Sequence, residues 1–505
     1  MHIRNLLYNW GAAAANLIVA FFLAPFVVDK LGIAAYGVWT LLNVVAGYMG
    51  ILDLGVASST GRHVCLYLGK KQYKEVDDTI RTGLAFFLTL GGFIFLLGIA
   101  VGTNFTSLFP SVPDNLVSVA KWLTPLMAIN IIISASGAIF RSVLTAHNRF
   151  DITSSVDILV LSLRTAGTVW LLSKGTGLIG LASVVVLSNL IALLLVCGAA
   201  KYIYRALPLL SFKFSKVRLR EMMNYGLAAF LCTITVQVVG QTDLLMAEWL
   251  VNIEAVTIYS IGAALVWYAA PFINMINATL FPSIQQAVGA GKKGEALWLM
   301  YRQARITLMV AIPMNVGFAI FSKPFLNLWM GEKIGIDGVQ TAALVMSILA
   351  VNKLQISMTS SYPNILSSLG KIWKITYVNV AESFMNIILS LLLAWGLGYG
   401  LLGIALGTLI SRAMTVTLVA PFLLKSEAGV DLIEQIREIF IPGIMTICIF
   451  AVICFTINMS VVPTSWITFS TAVVVAMASY GVIAWIILLP VDIKNKLINR
   501  LSLSS

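Results

Sequence analysis

Three basic residues, Arg164, Lys353 and Arg412, sit deep inside long apolar stretches, where a charge is least expected. An ionisable group facing lipid at that depth costs at least about 2.5–3.5 kcal/mol, so it faces protein or a wet cavity instead. Arg412 lies near the middle of its stretch, roughly 16 Å from either end, too far for its side chain to reach headgroups comfortably. Thr408 and Thr415 stand one turn to either side of it and make a polar stripe. Arg164 is similarly central, with Asp157 two turns earlier on the same face, and Lys353 lies between Asn352 and Gln355. Arg62 and Arg141 close two further apolar stretches. A guanidinium fork matches phosphate oxygens two at a time and a lysine adds a point charge, so one reading of these five is a cationic cavity for an anion. The other is that each cation has an internal carboxylate partner, Arg164 with Asp157 or Lys353 with Glu382. For Arg62 and Arg141 the other reading is simple anchoring on the basic side of a membrane.

The acidic residues in such stretches are fewer. Asp53 stands in Ile51-Leu-Asp-Leu-Gly55, Asp243 follows Gln237, Gln241 and Thr242, and Glu382 shares a stripe with Asn379 and Asn386. A buried carboxylate can carry a coupling proton or, with amide oxygens, hold Na⁺. The alternatives are helix–helix hydrogen bonding, an interfacial position for Asp243, and for Asp53 a cap or a pair with Arg62. His2, His63 and His147 have no metal-ligand spacing, and Cys65, Cys197, Cys232, Cys448 and Cys454 read as packing residues. Neither a metal nor an organic cofactor is expected; the only small ion called for is a coupling H⁺ or Na⁺.

The elements that must position these residues follow from composition. Of 505 residues 59% are apolar and 11% charged, with a mean hydropathy of +0.94. A soluble domain carries about 25% charged residues, so this chain has the bilayer as its solvent. That excludes a soluble enzyme, a disordered scaffold and a secreted disulfide framework. The net charge of +12 lies between apolar segments and reads as a topology signal, not as a nucleic-acid surface.

Stretches of about 20 apolar residues mark fourteen expected spans, near 9–28, 36–57, 83–101, 118–140, 154–172, 178–199, 222–248, 256–281, 304–322, 338–361, 374–395, 401–423, 440–458 and 465–489. The fold class is therefore an all-α polytopic membrane protein. Alternate loops hold nearly all the basic residues, from Arg4 through Arg62, Lys70, Lys71, Lys201, Arg205, Lys292 and Lys371 to Lys494, while the opposite loops hold Lys30, Lys121, Lys174, Lys323 and Lys333. By the positive-inside rule both termini are cytoplasmic. The outer loops are short, and the longest, 102–117, has no acid beyond Asp114. A membrane glycan polymerase or ligase would display more there.

The halves repeat at a shift of about 223 residues: Gly175-Thr-Gly-Leu-Ile-Gly-Leu-Ala182 aligns with Gly398-Tyr-Gly-Leu-Leu-Gly-Ile-Ala405, and Gly69-Lys-Lys71 with Gly291-Lys-Lys293. Six spans per repeat give two parallel lobes, 1–200 and 222–424, expected to enclose a central cavity. Residues 201–221 form a basic linker lying on anionic membrane lipids, 425–439 an interfacial amphipathic helix, and 440–505 an extra helix pair with a cytoplasmic tail.

The first sixty residues also carry a resemblance. Asn16 with Phe22-Leu-Ala-Pro25, then Leu31-Gly-Ile-Ala-Ala-Tyr-Gly-Val-Trp39, then Gly50-Ile-Leu-Asp-Leu-Gly55, and later Phe281-Pro282, resemble the Wzx-type lipid-linked oligosaccharide flippases of the MOP exporter superfamily. The likeness is strongest over 1–150, and its last helix pair departs from the twelve spans of many relatives. What the resemblance implies is a non-enzymatic transporter in the bacterial inner membrane. It would carry an undecaprenyl-diphosphate-linked oligosaccharide, as in O-antigen and lipopolysaccharide biosynthesis, from the inner to the outer leaflet by alternating access on an ion gradient. A polysaccharide polymerase is the partner it suggests. A drug or cation antiporter of the same superfamily is the second reading, though its cavity should be acidic and aromatic.

Overall fold

A computed structural model describes residues 2–207, 214–461, 463–489 and 494 of the chain. Every element among the described residues is helical. Twelve of the helices are long and apolar enough to cross a membrane, and the two expected spans beyond these, 9–28 and 222–248, fall on helices of 30 and 35 residues. The chain divides into two compact units, Met1–Thr257 and Ile258–Ser505.

The first unit holds α1 (His2–Leu31), α2 (Ile33–Gly50), α3 (Val56–Gly69), α4 (Tyr73–Thr103), the single turn α5 (Phe105–Leu108), α6 (Asp114–Ala146), α7 (Phe150–Ser173), α8 (Gly177–Ile203), α9 (Lys216–Leu250) and the start of α10 (Ile253–Gly289). Its long helices pack as α4 on α6, α6 on α8 and α7 on α8. The expected second span, 36–57, is broken: α2 ends at Gly50, and Leu54 (φ 51°) and Gly55 (φ 73°) turn the chain through left-handed backbone into α3. Asp53 caps that turn, its Oδ1 accepting the Gly55 amide at 2.6 Å. Arg62 therefore does not close a span; it is an exposed residue of the separate helix α3.

Within this unit α9 packs against α2, α3 and α4. Near its start Arg218 bonds Glu221 (2.7 Å), Glu75 of α4 (2.8 Å) and the Tyr67 hydroxyl of α3 (2.6 Å). Against the opposing pull of burial, Tyr67, Glu221 and Glu75 hold the Arg218 guanidinium above its ordinary pKa. Burial and the bond to Asp77 (2.7 Å) likewise raise the Tyr204 phenol just past the end of α8. Both anchors lie within the basic linker 201–221, on either side of 208–213, which, with Pro208 and Lys213, lie outside the described residues.

The second unit holds the rest of α10, α11 (Lys293–Ile320), α12 (Ser322–Thr359), α13 (Tyr362–Ser368), α14 (Ile372–Leu391), α15 (Gly400–Arg412), α16 (Leu418–Ala428), α17 (Leu432–Gln435), α18 (Ile441–Val461) and α19 (Trp466–Ile487). Met300, Leu308, Tyr362, Phe450 and Tyr480 are among its core residues, and the Tyr480 hydroxyl donates to the Met309 carbonyl at 2.9 Å. The extra pair α18–α19 is thus fixed to α11. Gly335 (φ 71°) bends α12 ahead of the expected span 338–361, and the turns before it bury Phe325, Leu326 and Trp329.

The segment 425–439 splits. Its first residues end α16, Gly429 (φ 64°) reverses the chain, and 432–440 run on into α18. Of its expected apolar face Ile439 is buried while Ile433 and Ile436 are exposed, and buried Gln435 donates to the carbonyls of Pro421 (3.1 Å) and Val430 (3.2 Å). Lys496 and Arg500 of the tail lie outside the described residues.

Candidate functional site

In the first unit α6, α7 and α8 bring polar groups together around Arg164. Its Nε donates to Ser188 Oγ at 3.2 Å and its Nη2 to Asn189 Oδ1 at 2.7 Å. The Asn189 amide nitrogen donates in turn to Asn130 Oδ1 (2.7 Å) and, more weakly, to Ser134 Oγ (3.4 Å). Ser188 is buried, Arg164, Asn130 and Asn189 are half-buried, and Ser134 is exposed, so the cluster is sealed on one side and open on the other. Every partner is neutral. The candidate partner Asp157 sits on the right face of α7 but is taken by Arg141 of α6, Nη2 to Oδ1 2.6 Å. Among the described residues no carboxylate reaches Arg164.

In the second unit a cation is matched by an acid. Arg412 ends α15, and its Nε lies 2.6 Å from Oε1 of Glu382 on α14. Glu382 is 2% exposed, and the Arg412 side chain keeps 17%. Lys353 of α12 acts electrostatically on both. One turn along, Asn386 Nδ2 donates to Thr408 Oγ1 at 2.8 Å, and Thr415 donates to the Ser411 carbonyl at 2.6 Å. The expected partnership of Lys353 with Glu382 is therefore a triad with Arg412 in the closer position.

The helix pair that carries the triad is drawn tight by small residues. A Cβ on Gly403 would meet the Ala394 amide nitrogen at 2.5 Å, and one on Gly407 the Ser390 nitrogen at 2.6 Å. Glycine at this spacing lets the α14 and α15 backbones approach closely. Each helix then opens into a π-helical turn, Leu392–Gly396 and Ala413–Thr417. Such turns are frequent at functional positions, and the second begins immediately after Arg412.

Of the other expected site residues, Asp243 is buried on α9 beside Thr242, whose Oγ1 meets the Tyr48 hydroxyl at 2.6 Å. Asp53 and Arg62 stand at the α2–α3 turn and on α3, as described above. Sequence reasoning missed Asn130, Ser188 and Asn189, although an amide or hydroxyl inside an apolar stretch is a visible signal. It also missed Glu248 near the end of α9, 2% exposed, whose Oε1 accepts from the Ser111 amide (3.2 Å) and hydroxyl (2.9 Å). Among the described residues no group of His, Cys, Asp and Glu could hold a metal ion.

With the clusters placed, the fold can be compared with known proteins. Residues 31–334 match the model of a family described as polysaccharide biosynthesis protein. The chain belongs to that family. The expected membership among polysaccharide biosynthesis proteins is thereby borne out. A relative along the whole length is the uncharacterized membrane protein EpsK of Bacillus subtilis strain 168, 21% identical over 98% of this chain and 97% of its own. Among solved structures the lipid II flippase MurJ, in an inward closed conformation, aligns with TM-score 0.65 at 14% identity over 96% of this chain and 98% of its own. An inward-facing multidrug resistance MATE transporter of the MOP superfamily aligns with TM-score 0.69 at 16% identity, over 85% and 96%. At such identities the two structures establish the shared fold and nothing finer.

Proposed function

We propose that this family member is a flippase of fourteen spans with both termini cytoplasmic. It carries an undecaprenyl-diphosphate-linked oligosaccharide from the inner to the outer leaflet of a bacterial inner membrane by alternating access, coupled to an ion gradient. The Arg164 cluster carries this reading. A guanidinium halfway along a membrane helix, held by neutral groups alone, has no carboxylate partner and leaves an open side for phosphate oxygens. The amides and hydroxyls around it are the groups that also bond sugar hydroxyls. The family's role in polysaccharide biosynthesis supports the same substrate class.

The test is leaflet transfer in proteoliposomes of a fluorescent short-chain prenyl diphosphate sugar, read by quenching of the outer leaflet. Arg164→Ala should abolish transfer while the protein remains folded; transfer at the wild-type rate would remove Arg164 from the mechanism. The MATE likeness keeps cation export as a second reading. Uptake of a cationic dye in the same vesicles, with no transfer of the diphosphate, would establish it instead.

A further inference from the structure

The triad of the second unit has a geometry that the flippase reading does not require. An anion approaching the exposed part of Arg412 finds the guanidinium already ion-paired, with its buried Nε 2.6 Å from a carboxylate oxygen. The arginine is the outer member of the pair, and the acid, 2% exposed, lies behind it. A carboxylate offers an arginine the same charged oxygen acceptors that a phosphate does. Glu382 therefore stands where a phosphate oxygen of the ligand would stand.

We propose that Arg412 binds the lipid diphosphate by exchange: a proton enters Glu382 as the anion arrives, and leaves it as the anion departs. This rests on the flippase reading and names how that site is regulated. In the empty state Arg412 and Lys353 carry two positive charges and Glu382 one negative, a net of one positive. Protonation of a Glu382 oxygen makes the carboxyl neutral, the Arg412 guanidinium is freed to turn its N–H groups to phosphate oxygens, and the triad then presents two positive charges. A diphosphate diester carries two negative ones. On release the guanidinium returns to its ion pair with the carboxylate and the proton passes back to water; no covalent bond other than that O–H bond is made or broken.

The same geometry selects the ion. Glu382 already has a guanidinium in contact and an ammonium nearby, so a Na⁺ would be a third cation, whereas a proton removes the negative charge. Among the described residues the charged groups acting on Glu382 are Arg412 of α15 and Lys353 of α12, and the Asn386–Thr408 bond one turn along is neutral. Arg164 has no carboxylate to displace and takes no part in the exchange.

The experiment is calorimetric binding of farnesyl diphosphoglucose, a diester that does not titrate near neutral pH, to the purified full chain. It is run from pH 6 to 8 in buffers of different ionisation enthalpy. Wild type should take up about one proton per ligand bound, and its affinity should fall by up to about tenfold per pH unit on the alkaline side. Glu382→Gln should take up none and bind as tightly at pH 8 as wild type does at pH 6. Lys353→Arg should keep the proton uptake, which assigns the proton to Glu382. Replacing Na⁺ by K⁺ at constant ionic strength should leave binding unchanged. Infrared difference spectra of wild type alone, which need no variant to fold, should gain the carbonyl band of a protonated carboxyl when ligand is added. Binding without proton uptake or without that band, uptake retained by Glu382→Gln, or dependence on Na⁺ overturns the exchange and leaves the flippase reading in place. Failure of wild type to bind overturns both.

Discussion

The two compact units each hold one arginine deep in an apolar helix, and they treat it in opposite ways. In the first, α7 carries the cation and α8 the amide that receives it: Arg164 donates to Asn189 at 2.7 Å and to Ser188 at 3.2 Å. In the second, α14 carries the acid and α15 the cation, Glu382 and Arg412 in contact at 2.6 Å. Under the repeat of about 223 residues Asn189 and Arg412 are equivalent positions, so an amide in one half has become the cation of the other. Both clusters carry one net positive charge, but it is standing charge on Arg164 and a residual of three groups around Arg412. A neutral frame leaves charge ready for a ligand; a charged frame ties it up until something neutralises the acid.

The largest effect comes from removing the acid. Glu382→Ala leaves two cations in a buried site, and breaking a buried pair by deleting one partner destabilises by about 3–5 kcal/mol. A thermal-unfolding series in detergent should place this variant lowest. The isosteric Glu382→Gln should recover part of the loss through hydrogen bonding. Equal stability of Glu382→Ala and wild type would mean the triad is well hydrated, and the contrast between the units would collapse.

Next in size is the close approach that seats the triad. A methyl group on Gly407 would have to displace the Ser390 backbone, 2.6 Å away. Overpacking of this kind costs typically about 1–3 kcal/mol, so Gly407→Ala should unfold at lower temperature and loosen the α14–α15 pair. Gly198, around whose Cβ position there is open space, is the control and should tolerate alanine.

The matching change in the first unit is smaller and differs in kind. Asn189→Leu removes one bond to Arg164, one to Asn130 and the longer one to Ser134. A hydrogen bond to a charged group is worth about 1.5–3 kcal/mol. The guanidinium keeps Ser188 and its open side, so the stability loss should fall at or below that range. Anion affinity should fall with it because the fork is no longer aimed. A diphosphate titration checks this; unchanged affinity would make Asn189 a packing residue only.

How much of this was readable beforehand depended on whether a local rule or a tertiary contact decides the outcome. Among the described residues twelve helices are long and apolar enough to cross a membrane, as stretches of about twenty mostly apolar residues require. Arg164, Lys353 and Arg412 were equally plain as cations inside apolar stretches. The break at Leu54 was not, because an apolar residue there looks like continued helix and only its φ of 51° betrays the turn. Nor were the ion-pair partners. Asp157 lies two turns from Arg164 on one face of α7, as good a match as a sequence offers, yet α6 delivers Arg141 to it. Glu382 had two candidate cations, and the tight glycine seam between α14 and α15 gave it to the one on the adjoining helix. Partner choice among buried charges is set by which helices touch, and that is the last thing a linear pattern reveals.

The smallest expected effect on stability is therefore the most informative about the first unit. The Arg141–Asp157 pair is 32% and 44% exposed, and pairs exposed to that degree contribute about 0–1 kcal/mol. Arg141→Ala should accordingly barely move the unfolding temperature. It should nonetheless weaken diphosphate binding, because it releases a carboxylate on the same face of α7 as Arg164, about 10 Å along the axis and within reach of two extended side chains. Arg164 would then acquire the internal acid that Arg412 already has, and its anion binding should become pH-dependent in the same sense, tighter as the pH falls. Adding Asp157→Asn to Arg141→Ala should restore both the affinity and the flat profile. If Arg141→Ala instead binds diphosphate as wild type does, Arg141 is only an anchor at the helix end, and the neutrality of the Arg164 frame does not depend on it.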